Sequence, residues 1–218
     1  MADPAVLAID IGGNRVKLLT SSSDERRSFV SGPDFTPQQL VEGIKANREG
    51  WSWDVISVGI PTPVKNGKLI REPINLGPGW VDFDFESEFG VPTKVINDAA
   101  MQALGSYEGG SMLFLGLGTG LGSTLIVDGT IAPFEIGHLP FRTKTYEDYV
   151  GTRGLEQEGY AKWKAAVFEV VELFTAALEP DYVVLGGGAV KELDELPPNA
   201  RPGSNANAFT GGFRLWGH

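Results

Sequence analysis

The sequence predicts an α/β protein, and three observations carry that reading. Two strand–glycine–strand corners, DIGGNRVK at residues 10–17 and LFLGLGTGLGSTLIVDG at residues 113–129, read as hairpins between apolar strands. Apolar runs of strand length at Asp54 to Ile60, Thr93 to Ile96 and Asp181 to Leu185 alternate with helically patterned stretches. Val167, Val170, Val171, Phe174 and Leu178 form the apolar stripe of one long helix, which is core rather than a cofactor box.

Composition narrows the class. With 218 residues, 42% hydrophobic and 21% charged, the chain has the length of one large domain or two small ones sharing a cleft. The net charge of −10 argues against a general nucleic-acid binder. Zero cysteines removes disulfides, thiol catalysis and cysteine-bound zinc together. No segment approaches a membrane span, and MADPAVLAIDIGG lacks a basic leader and is interrupted by Asp10, so the expectation is a cytoplasmic protein. The Pro/Asn/Gly-rich run from Pro197 to Asn207 reads as a surface loop.

Ala5 to Ile11 is the first strand, Gly12 and Gly13 turn the chain, and Val16 to Thr20 begin the second. Asp10, just before the turn, is suited to a hydrated Mg²⁺, and the amides of Gly12, Gly13 and Asn14 to phosphate oxygens; Lys17 adds a point charge. A hairpin whose aspartate caps its own turn explains the same residues. A third strand follows within Ser21 to Val30, then a helix capped by Thr36, with Pro37 at its first position and running to Gly50. After the strand ending at Ile60, Pro61 and Pro63 fix the backbone where it leaves the sheet.

REPINLGPGW, residues 71–80, is too rich in Pro and Gly for regular structure; Asn75 and Trp80 suit a sugar lip, or Trp80 folds into the core. Phe83 to Phe89 reads as a short helix. Asn97-Asp98 closes the next strand and opens a helix to Tyr107, where a carboxylate is either a cap or an acceptor for a hydroxyl proton.

In the second corner Gly116, Gly118, Gly120 and Gly122 leave backbone amides uncovered, and Thr119 adds a hydroxyl. Glycines at this spacing can also take positive φ. A tight hairpin between core strands is the plain alternative. Glu135 and His138 lie three residues apart around Gly137 and suit hydroxyl ligands; with only two histidines in the chain, a histidine metal cluster is not expected. Short helices near Tyr146 to Val150 and Leu155 to Glu158 precede the long one. Gly186, Gly187 and Gly188 then allow close approach of a flat ligand such as adenine, or close helix packing, before a helix from Ala189; a last helix covers Asn207 to Trp216.

Taken in order, DIGGNRVK, NDAAMQALG, LGTGLGSTLIVDG, EIGH and VVLGGGAVK resemble the sugar kinases of the ROK family, over roughly Ala5 to Gly212. The resemblance implies the two-domain actin-like ATPase (ribonuclease H-like) fold, α/β with mixed sheets and an interdomain cleft. Residues 1–96 with about 206–218 would form one domain and residues 97–205 the other. It implies a hexose kinase passing a phosphoryl group from polyphosphate, ATP or both to the 6-hydroxyl of glucose, with Mg²⁺ held by Asp10 through water. Asp98 matches the catalytic base, and Asn97, Glu135 and His138 the sugar ligands; Asn75 lies where the family often has a sugar-contacting loop. Asp10, Gly12, Gly13, Asn14 and Lys17 match the first phosphate motif, Gly118, Thr119, Gly120 and Gly122 the second, and Gly186, Gly187 and Gly188 the adenosine motif.

Many members carry a cysteine-rich zinc motif after the Glu-x-Gly-His element. This chain has none, and is similar in that to the zinc-free polyphosphate glucokinases. Thr62 stands where the family usually has Gly, and Asn14 where it has Thr or Ser. Arg142, Lys144, Arg153, Lys162 and Lys164 form either a basic track for a polyanion or a solvated helix face. Alternatives are an ATP-dependent kinase of another hexose and a non-catalytic sugar-binding regulator, the latter disfavoured because only four residues precede Ala5. The partners implied are a sugar and a phosphoryl donor, with no nucleic acid and no membrane; a homodimer is common in the family.

Overall fold

A computed structural model describes residues 3–218. The chain divides into two compact units, the first reaching to Met101 and including Ala208–His218, the second Gln102–Asn207. Each holds one mixed five-stranded sheet.

The first unit opens with β1 (Val6–Ile11), β2 (Arg15–Thr20) and β3 (Arg27–Val30), then α1 (Pro37–Ala46) and β4 (Val55–Ile60). The small ribbon of β5 (Val64–Lys65) and β6 (Lys68–Leu69), α2 (Phe85–Phe89), β7 (Thr93–Asn97) and α3 (Asp98–Ser106) follow. Strand order is β3-β2-β1-β4-β7, antiparallel through the first three and parallel from β1 to β7. Every residue of β1 and β4 is buried, which is why both read as strand-length apolar runs. Helix α1 begins where its signals predict: Thr36 N–H donates to Gln39 Oε1 at 2.8 Å and Gln39 N–H to Thr36 Oγ1 at 3.4 Å. It ends at Ala46 rather than Gly50, because Asn47 Nδ2 donates to the Gly43 carbonyl at 2.8 Å and closes the last turn. Leu7, Ile9, Leu18, Leu40 and Ile56 make the core of this unit. Burying each such side chain contributes roughly 1.5–3 kcal/mol.

The second unit repeats the plan. β8 (Ser111–Leu117), β9 (Leu121–Val127) and β10 (Thr130–Pro133) form an antiparallel meander, followed by the ribbon of β11 (Pro140–Phe141) and β12 (Lys144–Thr145). Helices α4 (Tyr146–Val150), α5 (Thr152–Glu158) and α6 (Tyr160–Leu178) lead to β13 (Tyr182–Gly186), a 3-10 turn at Gly188–Glu192 and β14 (Ala200–Pro202). The order β10-β9-β8-β13-β14 has the same sequence of antiparallel and parallel neighbours as the first sheet. Trp163 is fully buried with Nε1 donating to the Val150 carbonyl at 2.9 Å, and Val167, Val170 and Val171 fall in the same core, as the α6 stripe predicts.

Two further stretches differ from the sequence reading. The run 197–207 is not all loop, since Ala200–Pro202 pairs in parallel with Val183–Leu185 as an edge strand; proline is tolerated at such an edge, and its presence hid the strand. The segment after Gly187 is a 3-10 turn rather than an α-helix.

Helix α7 (Asn207–Arg214) packs within the first unit. A Cβ on Gly212 would come within 2.8 Å of the Ala8 Cβ, so glycine lets the helix backbone touch the sheet. Ser57 Oγ donates to the Gly212 carbonyl at 2.6 Å and accepts from Trp216 Nε1 at 3.0 Å.

Candidate active site

In the first unit, Asp10 and Lys17 stand directly opposite in the β1–β2 register, and Lys17 Nζ donates to Asp10 Oδ2 at 2.9 Å. Asp10 is 3% exposed. The corner beyond them is braced by Gly12 N–H on the Arg15 carbonyl at 3.0 Å and by Ser31 Oγ on the Gly12 carbonyl at 2.6 Å. Asn14 is exposed at the tip, and its carbonyl accepts from Ser31 N–H at 3.0 Å.

None of Gly12, Gly13, Gly118, Gly120 and Gly122 has positive φ, so the left-handed conformations open to glycine are not used at either corner. Space is tight at Gly12, Gly13 and Gly120, where a Cβ would meet the Arg15 carbonyl oxygen at 3.2 Å, Asn75 Cβ at 3.2 Å and Glu147 Oε2 at 2.6 Å, and open at Gly118. The exposed Asn75 is thus packed on the first corner.

β1, β4 and β7 run parallel, with Asp10 beside Gly59, Gly59 beside Ile96 and Ile60 beside Asn97. Asp98 follows directly as the first residue of α3. Two carboxylates therefore stand at the carboxyl edge of one parallel set, with their backbones two strand spacings, about 10 Å, apart. The cap of α3 is Asn97 and not Asp98: Asn97 Oδ1 accepts from Ala100 N–H at 3.1 Å, while Nδ2 donates to the Thr62 carbonyl at 3.3 Å. Asp98 Oδ1 accepts from Ala99 N–H at 2.8 Å. Thr62 ties the loop down, its Oγ1 donating to the Arg71 carbonyl at 2.9 Å.

Trp80 is no sugar lip. It is fully buried, lies between Phe35 and Phe85, and donates Nε1 to the Phe35 carbonyl at 3.3 Å. The Glu72 carboxylate anchors its loop by accepting from the N–H groups of Gly79 at 3.2 Å and Trp80 at 3.0 Å.

In the second unit, Gly118 N–H donates to the Gly120 carbonyl at 3.1 Å, and the Gly118 carbonyl accepts from Thr152 N–H at 2.8 Å. Thr119 is exposed at the tip, Gly122 pairs with Gly116, and Gly116 pairs across β8–β13 with Gly186. The third glycine run thus adjoins the second corner. Gly187 has φ +86°, and a Cβ there would strike the Leu117 backbone; a Cβ at Gly188 would meet nothing within 4 Å. Glu135 and His138 are both exposed.

Glu147 is a member of this cluster that sequence reasoning missed. A Cβ at Gly120 would approach Glu147 Oε2 to 2.6 Å and one at Gly137 to 3.3 Å, and Oε1 lies 3.5 Å from His138 Nδ1 and 3.2 Å from an Arg153 nitrogen. Its signal was concealed by a capping pattern. Thr145 N–H and Oγ1 donate to Asp148 Oδ2 at 3.2 and 2.6 Å, so the acidic pair after Thr145 reads as first-turn dipole compensation. The Thr145 hydroxyl foremost holds the Asp148 carboxyl below its ordinary range.

Each of the five basic candidates faces a carboxylate. Arg142 pairs with Glu169; Lys144 and Lys162 both pair with Glu158, at 3.7 and 3.5 Å; Arg153 pairs with Glu147 and Asp148. Lys164 Nζ lies 2.6 Å from Asp194 and 2.7 Å from Glu195. The Lys164 bond, then that of Tyr160, draws the Asp194 carboxyl down to about 2, and the bonds to Asp194 and then Glu195 push the Lys164 ammonium up.

Among the described residues no helix is long and apolar enough to cross a membrane, and no three His, Cys, Asp or Glu side chains gather as a metal cage.

No protein-family model matches the chain. It is 27% identical to a polyphosphate glucokinase of Mycobacterium tuberculosis over 212 residues, covering 87% of this chain and 80% of that protein. Among solved structures it superposes on an inorganic polyphosphate/ATP-glucomannokinase from Arthrobacter sp. strain KM with a TM-score of 0.80, at 24% identity and 98% coverage of both chains. A ROK family protein from Streptococcus pneumoniae, solved in complex with sucrose, matches with a TM-score of 0.76 at 15% identity and 97% coverage of both.

Proposed function

We infer that this chain, a ROK family sugar kinase close to the polyphosphate glucokinases, transfers a phosphoryl group from polyphosphate or ATP to a hexose, with the 6-hydroxyl of glucose as acceptor. The observation that supports it most is the placement of Asp10 and Asp98 at one carboxyl edge, two strands apart. That span leaves room for a hydroxyl bonded to one carboxylate and a phosphoryl group in line toward the other.

Asp98 accepts the hydroxyl proton as the oxygen–phosphorus bond forms and the donor's phosphoanhydride bond breaks. Asn97 sets the start of α3, and so the position of Asp98, through its two bonds, and has a second Nδ2 hydrogen for a sugar hydroxyl. Glu135, His138 and Glu147 are further candidates for hydroxyl partners. The amides of the corners at Gly12–Asn14 and Gly118–Gly120 bind donor oxygens, and Gly186–Gly188 receives a base when ATP is the donor. Mg²⁺ keeps most of its waters and takes one or two carboxylates plus phosphate oxygens, and the nearly buried Asp10 carboxylate beside the first corner fits that demand. Asp10 would hold it, and it would neutralise charge on the donor.

The test is a coupled assay for glucose 6-phosphate with Mg²⁺ and either long-chain polyphosphate or ATP. Turnover with one or both donors is expected. No turnover of glucose, mannose or other hexoses with either donor would overturn the assignment.

A further inference from the structure

The five basic candidates of the second unit all face carboxylates, but one of them differs in kind. Arg142, Lys144, Lys162 and Lys164 pair with Glu169, Glu158, Asp194 and Glu195, which lie on α5, α6 and the segment after the 3-10 turn. Arg153 pairs instead with Asp148 at 3.6 Å and, more closely, with Glu147 at 3.2 Å, whose other carboxylate oxygen packs on Gly120 of the glycine corner. The backbone beside Arg153 is bound to the same corner. Thr152 N–H donates to the Gly118 carbonyl at 2.8 Å, and a Cβ at Gly151 would approach the carbonyl oxygens of Thr119 at 2.9 Å and Gly118 at 3.3 Å.

Arg153 is thus anchored by its neighbours one residue from a phosphate-binding corner, while its own side chain is 51% exposed. An exposed ion pair is weak and exchanges readily. A guanidinium also has a better partner in phosphate, which its planar fork can bind in a bidentate manner. Glu147 Oε1 is shared: Arg153 lies 3.2 Å away and His138 Nδ1 3.5 Å. A sugar hydroxyl donated to that oxygen competes directly with the guanidinium.

Building on the kinase reading above, we propose that Arg153 is a donor-phosphate ligand that exchanges Glu147 for the donor, and that sugar binding at Glu147 promotes the exchange. Sugar and donor then help each other to bind, and by linkage the factor is the same in both directions.

The probe is tripolyphosphate with Mg²⁺, titrated calorimetrically with and without 6-deoxyglucose, which lacks the hydroxyl that would be phosphorylated. In the unaltered protein, 6-deoxyglucose is expected to tighten tripolyphosphate binding by about 5- to 100-fold. Arg153→Met should weaken tripolyphosphate and abolish most of the synergy, Arg153→Lys should restore part, and circular dichroism should show all variants folded. Glu147→Gln should strengthen tripolyphosphate binding in the absence of sugar, an effect that a merely structural role for the pair does not give. Unchanged synergy in Arg153→Met, or none in an unaltered protein that phosphorylates glucose, overturns the proposal. Absence of any sugar kinase activity overturns instead the reading on which it rests.

Discussion

Lys17 donates to the nearly buried Asp10 at 2.9 Å across the first hairpin, so the carboxylate proposed for the metal carries a cation of its own. Lys17→Met leaves that carboxylate without its charged partner. A hydrogen bond to a charged group is worth about 1.5–3 kcal/mol, and the partial exposure of Lys17 puts the expected loss at the lower end. Urea unfolding measures it, and the Asp10→Asn/Lys17→Met double variant should recover part of the loss.

Asp98→Asn is expected to lower kcat by about 10²- to 10⁴-fold, the range for removing a general base, and to leave glucose binding nearly unchanged in a fluorescence titration. Asn97→Ala should behave differently. It removes the cap of α3 and should cost about 1 kcal/mol of stability together with activity. Near-normal turnover in Asp98→Asn would exclude it as the base.

Gly118 and Gly120 separate anion binding from packing. A Cβ at Gly118 meets nothing within 4 Å, so Gly118→Ala should unfold at the same urea concentration but raise the donor KM by intruding where donor oxygens are proposed to bind. At Gly120 the Cβ presses on Glu147 Oε2, so Gly120→Ala should raise the KM values for both sugar and donor. Equal effects of the two changes would count against Glu147 as a sugar partner.

Trp80 tests the core assignment. Trp80→Ala is expected to cost about 3–5 kcal/mol, whereas Trp80→Phe should cost less and leave the glucose KM unchanged. A raised KM in a folded Trp80→Phe protein would return this residue to the sugar site.

The Asp194 carboxyl, held near 2 by Lys164 and then Tyr160, has a folded value below its ordinary 3.8. Its contribution to stability is therefore present above about pH 4 and lost as the pH falls toward 2. Carboxyl NMR titration should locate it there, and Lys164→Met should move it up toward 3.8. No movement would mean that Lys164 is not its main partner.

Short-range order made much of this protein legible. β1, β4 and β8 announce themselves as apolar runs, and the Thr36–Gln39 pair marks the start of α1. Features that depend on distant partners were hidden. Trp80 is buried by Phe35 and Phe85, and β14 exists only because β13 offers it a free edge. Likewise Glu147 is drawn to the second corner by contacts with Gly120 and His138, which spacing along the chain does not reveal. The carboxylate partners of the basic residues from Arg142 to Lys164 are dispersed from Glu147 to Glu195, so the pairing could not be read from the sequence.

Helix α7 gives the chain a particular order of assembly. Gly212 sits on Ala8 and Ser57, and Lys94 donates to the Leu215 carbonyl at 2.6 Å, so the first unit is closed by residues that emerge from the ribosome after the whole of the second. Domains generally fold as units during synthesis. Here the unit begun first is completed last, and a released chain ending at Asn207 should resist protease across Ser111–Pro202 while its first hundred residues remain open to cleavage.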